Sequence, residues 1–223
     1  MHQVITSFTD AGWTEYGEEF VRTFLRHWTV PLRIYHEGVG GPPEYLRGLD
    51  EGSRVELVPL ASLTDWAAFA DAISRFPIMH GRIDEDAYTI NFDARHCRKA
   101  MMMIHAASSS KKVFWADADI VTFADVPVSF LDQILPDDKL CVHLGRDGCN
   151  IPYTETGFYG VNGAHKDAGT FLAMMRQIIL EGLVFTLPGW HDCYVFDLAR
   201  RHLGREQFND IGWGAGVRHS HVF

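Results

Sequence analysis

The sequence predicts a single α/β domain in which a mostly parallel sheet carries helices on both faces. Strand, helix and strand signals follow one another within the first 36 residues, the start of a βαβ unit. The run Val113-Phe114-Trp115-Ala116 is apolar without alternating, as expected of a strand buried on both faces. Strand-like and helix-like stretches then continue to take turns down the chain. A length of 223 residues suits one domain with a sizeable core, and no internal repeat or linker divides it.

Val4-Ile5-Thr6-Ser7-Phe8 is short and rich in strand formers, and Thr9-Asp10-Ala11-Gly12 turns the chain. The loop from Thr6 to Gly12 is therefore expected at the ligand edge of the sheet. Tyr16, Phe20, Val21, Phe24, Leu25 and Trp28 recur at helical spacing over 15–28, and Pro31 ends that helix. Leu32-Arg33-Ile34-Tyr35-His36 gives a second strand, and Val55-Glu56-Leu57-Val58 a third. Ser62 or Thr64 is placed to cap a helix over 65–75. The polar stretch 80–89 receives no assignment.

A helix over 92–108 carries Met101, Met102, Met103, Ile104 and Ala106. Its first turn holds Arg95, His96, Arg98 and Lys99, cations set against a dipole that favours acids. That placement points to a nearby anion or, equally, to a solvated basic face. Further along, 128–135 reads as a helix behind Pro127 and Leu140-Cys141-Val142-His143-Leu144 as a strand. Residues 146–152 read as a polar loop, and Tyr153 to Asn162 as a glycine-bearing strand. Helices follow over 166–182 and from 190 onward, the latter with Asp192 in its first turn. A carboxylate there also serves as a plain helix cap. His219 and His221 share one face if 217–223 is a strand.

The central strand ends at Asp117-Ala118-Asp119. Open α/β sheets bind ligands at the carboxyl ends of their strands, and strand alternation would put both acids on one side. Two hard oxygen donors there suit Mg²⁺ or Mn²⁺, ions that hold diphosphate oxygens. The competing explanation is ordinary turn chemistry, because Asp accepts local backbone hydrogen bonds.

Bulk properties remove other classes. A formal net charge of −9 argues against a protein that coats nucleic acid or anionic membrane, and no stretch has the length of a membrane span. Cys97, Cys141, Cys149 and Cys193 form no C-x-x-C pair and show no zinc spacing, so a reduced, cytoplasmic setting is expected. Cys141, within an apolar run, reads as a core residue.

Several stretches together resemble the GT-A class of nucleotide-sugar glycosyltransferases, most closely small family-8-like enzymes and their phage and bacterial relatives. They are Val4 to Phe8, Phe92-Asp93-Ala94-Arg95 with Lys99, and Phe114 to Asp119, followed by Leu144-Gly145-Arg146, Glu155-Thr156-Gly157-Phe158 and Trp190 to Asp197. The resemblance implies a GT-A-like (Rossmann-like) mixed sheet and a metal-dependent sugar transfer from a nucleotide diphosphate sugar, a UDP-sugar above all. It implies Asp117 and Asp119 as the DxD motif, with Asp119 on the metal and Asp117 supporting ribose and metal. Thr6, Ser7 and Phe8 would hold base and ribose, and Arg95 and Lys99 would face phosphates or sugar. Glu155 and Asp192 would contact donor sugar or acceptor, and His219 or His221 would complete the metal shell. The pattern departs at the C-terminus, where no H-x-x-G-x-x-K-like segment occurs. A longer tail, or a compensating role for Lys99 or Arg218, would account for that.

Asp192 is the candidate base if the reaction inverts. Retention, which the family implies, leaves Glu155 or Asp192 to position sugar hydroxyls. The acceptor stays open between a hydroxymethylated DNA base, with Arg95, Arg98, Arg200, Arg201 and Arg205 lining a groove, and a glycan, protein or small molecule. Three other readings compete. A nucleotidyltransferase would carry a Gly- and cation-rich loop after the first strand. A metal phosphohydrolase built on His191-Asp192 would be all-helical. A non-catalytic sugar-nucleotide-binding protein would share the site.

Overall fold

A computed structural model of the chain describes residues 1–38, 41–49, 54–75, 79–81, 90–146 and 153–212. Its centre is a seven-stranded sheet with the order β3-β2-β1-β6-β8-β7-β9. The strands are β1 (His2–Ser7), β2 (Leu32–His36), β3 (Val55–Pro59), β6 (Lys112–Ala116), β7 (Cys141–Leu144), β8 (Glu155–Asn162) and β9 (Phe208–Asp210). Only β8 runs against the others: it pairs antiparallel with β6 and β7, while the remaining neighbours pair in parallel. A separate antiparallel pair joins β4 (Met79–Gly81) to β5 (Ile90–Phe92).

Both faces of the sheet are covered. Val4 and Phe114 belong to one apolar core and their neighbours Ile5 and Trp115 to the other, so strand alternation sends adjacent buried residues to opposite sides. The first core takes Phe20 and Phe24 from α1 (Glu18–His27) and Leu131 and Ile134 from α4 (Val128–Ile134). The second is built by α2 (Trp66–Ser74), α3 (Arg98–Ala107), α5 (Ala168–Leu180) and α6 (Asp192–Arg201), which contribute Phe69, Met102, Phe171 and Phe196.

The expected α/β layout holds, with local differences. The strand of β1 extends through Ser7 and the helical chain begins at Asp10, through a π-type turn Trp13–Gly17, so the loop at this edge shrinks to Phe8 and Thr9. Neither Ser62 nor Thr64 caps α2: its N-cap position is Asp65, whose carboxylate pairs with Arg176 instead. Phe92 belongs to β5, and the turn Ala94–Cys97 that leads into α3 is 3₁₀. Most of the unassigned stretch 80–89, most of the polar loop 146–152 and all of 217–223 lie outside the described residues.

Gly160 shows how closely β8 approaches its neighbours. A Cβ there would stand 2.6 Å from Phe114 and 2.9 Å from Val142, both fully buried. Overpacking of this kind costs ~1–3 kcal/mol, so Gly160→Ala should lower the urea midpoint by that equivalent at an unchanged m-value.

Candidate active site

The parallel strands β1 and β6 end side by side, and their C-terminal ends carry Ser7 and Asp117. Thr6 is buried between them, its hydroxyl donating to the Ala116 carbonyl at 2.8 Å, which ties the two strand ends together. β6 stops at Ala116. Ala118 and Asp119 lie in a turn, with the Ile120 amide on the Asp117 carbonyl at 3.2 Å. Strand alternation therefore does not relate the two acids, because the strand ends before them. Both nevertheless line one cleft of about 320 Å³, with Ser7, His96, Arg98, Lys99 and Trp115. Phe8 lies buried against Trp13 and lines a second cavity of about 630 Å³ with Asp10, Glu37, Tyr45 and Arg47.

Lys99 organises the floor of the cleft. Its ammonium is 2.9 Å from Asp117 Oδ1, 3.2 Å from Asp192 Oδ2 and 3.1 Å from the Thr156 carbonyl, and it lies over the Trp115 ring at 5.2 Å. Trp115 Nε1 donates to Asp117 Oδ1 at 2.6 Å, and the Thr156 hydroxyl donates to Asp192 Oδ2 at 2.6 Å. Burial, the strongest influence on Lys99, disfavours its charge, but Asp192 and Asp117 outweigh it and its pKa rises. Burial likewise acts to raise Asp192, yet Lys99, the Thr156 hydroxyl and His191 bring it below the ordinary carboxylate range. Asp117 goes the other way: burial raises it, and its share of Lys99 and the Trp115 bond do not compensate. Lys99 is thus shared by the two carboxylates, closer to Asp117 and facing the more buried Asp192.

Gly157 separates Asp117 from Glu155. Its carbonyl accepts from the Asp117 amide at 2.8 Å and its amide donates to Glu155 Oε1 at 2.9 Å. An added Cβ would press on both carboxylates, 3.2 Å from an oxygen of each. Glu155 also forms an ion pair with Arg146.

The residues named from sequence are distributed as follows. Asp117, Asp119, Ser7 and Lys99 meet in the smaller cleft, while Asp192 and Glu155 flank its floor through Lys99 and Gly157. Thr6 has its hydroxyl turned into the strand pairing. Arg95 does not line the cleft: its guanidinium lies on Asp93 at 2.7 Å and is 62% exposed. The anion expected near the basic turn is internal, Asp117 and Asp192 for Lys99, Asp93 for Arg95 and, at 2.7 Å, Glu37 for Arg98. His219, His221 and Arg218 lie outside the described residues. Trp115, expected as a buried strand residue, and Thr156, a member of the Glu155-Thr156-Gly157-Phe158 stretch, take on their roles where β6, β8, α3 and α6 converge.

Two sets of groups offer metal ligands. His191, Asp192 and Cys193 bring ligand atoms within 4.8 Å of one another. Burial pushes the Cys193 thiol up to about 12, away from the thiolate a metal needs, and Asp192 is buried with its Oδ2 held by both Lys99 and the Thr156 hydroxyl. The DxD acids fit better. Asp119 is exposed, with no hydrogen bond or ion pair among the described residues, and Asp117 keeps Oδ2 without one. Two carboxylates on an open cleft could serve as oxygen donors to a hard divalent ion that retains sites for water and phosphate oxygens.

No family model matches the sequence, and no curated protein matches it. Solved structures do. Mouse xyloside xylosyltransferase 1, in its apo form, superposes with a TM-score of 0.57 over 94% of this chain and 84% of its own, at 12% identity. The fold is GT-A-like. The glycosyltransferase GlyE of Streptococcus pneumoniae TIGR4, also in its apo form, gives a TM-score of 0.56 at 11% identity over 94% of this chain. A further GlyE structure gives 0.51 at 12% over 93%. This chain spans 44% of the GlyE chains, so the GT-A-like domain corresponds to under half of that protein. At these identities the likeness to family-8-like glycosyltransferases is one of fold. Among the described residues no helix is long and apolar enough to cross a membrane.

Proposed function

We propose that this domain is a metal-dependent glycosyltransferase that moves a sugar from a nucleotide diphosphate sugar, a UDP-sugar above all, to an acceptor hydroxyl. The observation that carries this is the meeting of Asp117 and Asp119 with Ser7 and Lys99 in one cleft at the carboxyl ends of β1 and β6. The glycosyltransferase-like fold of the matched structures supports it.

Asp117 and Asp119 would hold Mn²⁺ or Mg²⁺, with His219 or His221 as the proposed further ligand. Such an ion, once bound, neutralises charge growing on the leaving diphosphate. The chain's own groups do the rest. Ser7, on the cleft, and Phe8, on the neighbouring cavity, would border the base and ribose, and Thr6 fixes the strand end that carries them. Arg98 brings a guanidinium to the cleft beside the His96 ring, and Arg95, paired with Asp93, stands outside it. Lys99 keeps a permanent positive charge beside Asp117, where the anomeric C–O bond to phosphate breaks. Asp192 is 5% exposed and committed to Thr156 and Lys99, which supports retention, with Asp192 fixing Lys99 and not taking a proton. Glu155, across Gly157 from Asp117, would accept hydrogen bonds from sugar hydroxyls.

Of the rival readings, a nucleotidyltransferase lacks support, because two residues, Phe8 and Thr9, separate β1 from the following helical turn and neither is a glycine or a cation. The test is thermal denaturation with a panel of nucleotide sugars, each with and without Mn²⁺. Ligand at a hundredfold its Kd stabilises by ~2.7 kcal/mol, so the correct donor should raise Tm by roughly 5–10 °C, and only with the metal. No metal-dependent rise with any donor would remove this reading. A rise without UDP release on prolonged incubation would leave a sugar-nucleotide-binding protein.

A further inference from the structure

Beside the DxD cleft lies a second group of side chains that the donor does not require. Tyr153 stands at its centre. The Arg146 guanidinium lies 5.3 Å from the Tyr153 ring centroid, and the His191 and Tyr194 rings pack against Tyr153 at 5.1 and 5.0 Å. His191 and Tyr194 meet at 4.9 Å, closing a three-ring cluster of which Tyr153 and His191 are half-exposed. Arg146 also pairs with Glu155, and its Nε is buried without a hydrogen-bond partner among the described residues. The cluster joins the active site twice: Glu155 faces Asp117 across Gly157, and His191 leads directly into Asp192, the partner of Lys99.

We infer that Tyr153, His191, Arg146 and Glu155 form an acceptor subsite, and that the acceptor it takes is a carbohydrate. The acceptor role rests on the sugar-transfer reading; the carbohydrate preference comes from the side chains themselves. A sugar ring offers apolar C–H edges beside pairs of hydroxyls. Half-exposed aromatic rings accommodate the first, and a guanidinium–carboxylate pair offers both donors and acceptors to the second. The His191 ring, packed on Tyr153 and Tyr194, adds nitrogen atoms able to meet hydroxyls.

The same surroundings disfavour a DNA acceptor. Binding DNA needs cations free to neutralise phosphates. Here Arg95 is tied to Asp93, Arg98 to Glu37, Arg146 to Glu155 and Arg200 to Asp197. Arg201 ends the helix whose first turn holds Asp192, ~13 Å away at about 1.5 Å per residue, and Arg205 lies beyond it. With a net charge of −9, no basic track leads to the cleft among the described residues.

Saturation-transfer NMR on the whole chain tests this, using methyl glycosides of glucose, galactose and mannose and a short duplex containing hydroxymethylcytosine. At least one glycoside should receive saturation at its ring C–H protons. Tyr153→Ala should weaken that binding ~tenfold, and Tyr153→Phe should keep it within about twofold. Arg146→Lys, which retains charge but loses the planar fork, should weaken it as well. Binding of the duplex but of no glycoside, or a Tyr153→Ala variant that binds as the parent does, would overturn the inference. UDP release from UDP-sugars, followed in the same samples, separates the two readings. Glycoside binding without turnover of any donor removes the transfer reading, and turnover without glycoside binding removes the carbohydrate subsite.

Discussion

Replacing Lys99 with Met should destabilise the domain by ~3–5 kcal/mol, the usual cost of removing one partner from a buried ion pair. Lys99 is the shared counter-ion of Asp192, 5% exposed, and of Asp117, with its ammonium 3.2 and 2.9 Å from their oxygens. Met matches the length of the aliphatic stem, so the loss measures charge more than packing. The pH dependence follows from the direction of each shift. Asp192 is lowered, so its stabilisation is present above its unfolded pKa of about 3.9 and is lost as pH falls through the lower folded value. Lys99 is raised, so its stabilisation is present below about 10.4 and is lost as pH rises through the higher folded value. Asp117 is raised and opposes Asp192 on the acid side. Urea titrations should therefore show the parent gaining most over Lys99→Met between roughly pH 5 and 9, with the gap narrowing at both ends. A gap independent of pH would mean that the pair contributes nothing electrostatic.

Asp119→Ala should behave in the opposite way, silent in stability and severe in activity. The side chain is exposed and has no partner among the described residues, so its loss should move stability by less than about 0.5 kcal/mol. Metal-dependent turnover of a UDP-sugar should fall on the order of a hundredfold or more, because one of the two oxygen donors of the metal site is gone. Asp125→Ala is the control: that acid is also exposed and pairs with His27, away from the cleft. Equal turnover in Asp119→Ala and Asp125→Ala would dismiss the metal site.

Much of this architecture was legible in the residues, for reasons that differ by element. The unalternating run at 113–116 is what a strand covered by two helical layers requires, β1 and β2 are legible from their strand formers, and α1 from its helical period. β9 did not, because it is three residues long and buries only Phe208 against α5 and α6. The capping of α2 is not legible from Ser62 or Thr64, because Asp65 takes the N-cap position as an ion-pair partner for Arg176 and no side chain caps the helix. At the site, the local motif Asp-x-Asp stood out, but the partners that decide its charge come from distant segments. Lys99 looked like one of several cations at a helix start. Only the convergence of α3, β8 and α6 separates it from Arg95, which turns outward onto Asp93. Trp115 and Thr156 act through hydrogen bonds that no spacing rule encodes.

The central claim is that Asp117 and Asp119 grip a divalent ion together with the donor's diphosphate. Anomalous scattering from a crystal soaked with Mn²⁺ and the donor that raises Tm tests it most directly. A single manganese peak at ~2.0–2.3 Å from carboxylate oxygens of Asp119 and Asp117, with diphosphate oxygens completing the shell, is the expected result. Manganese bound at His191, Asp192 and Cys193 instead, or diphosphate density held by Lys99 and Arg98 with no metal at Asp119, would contradict it.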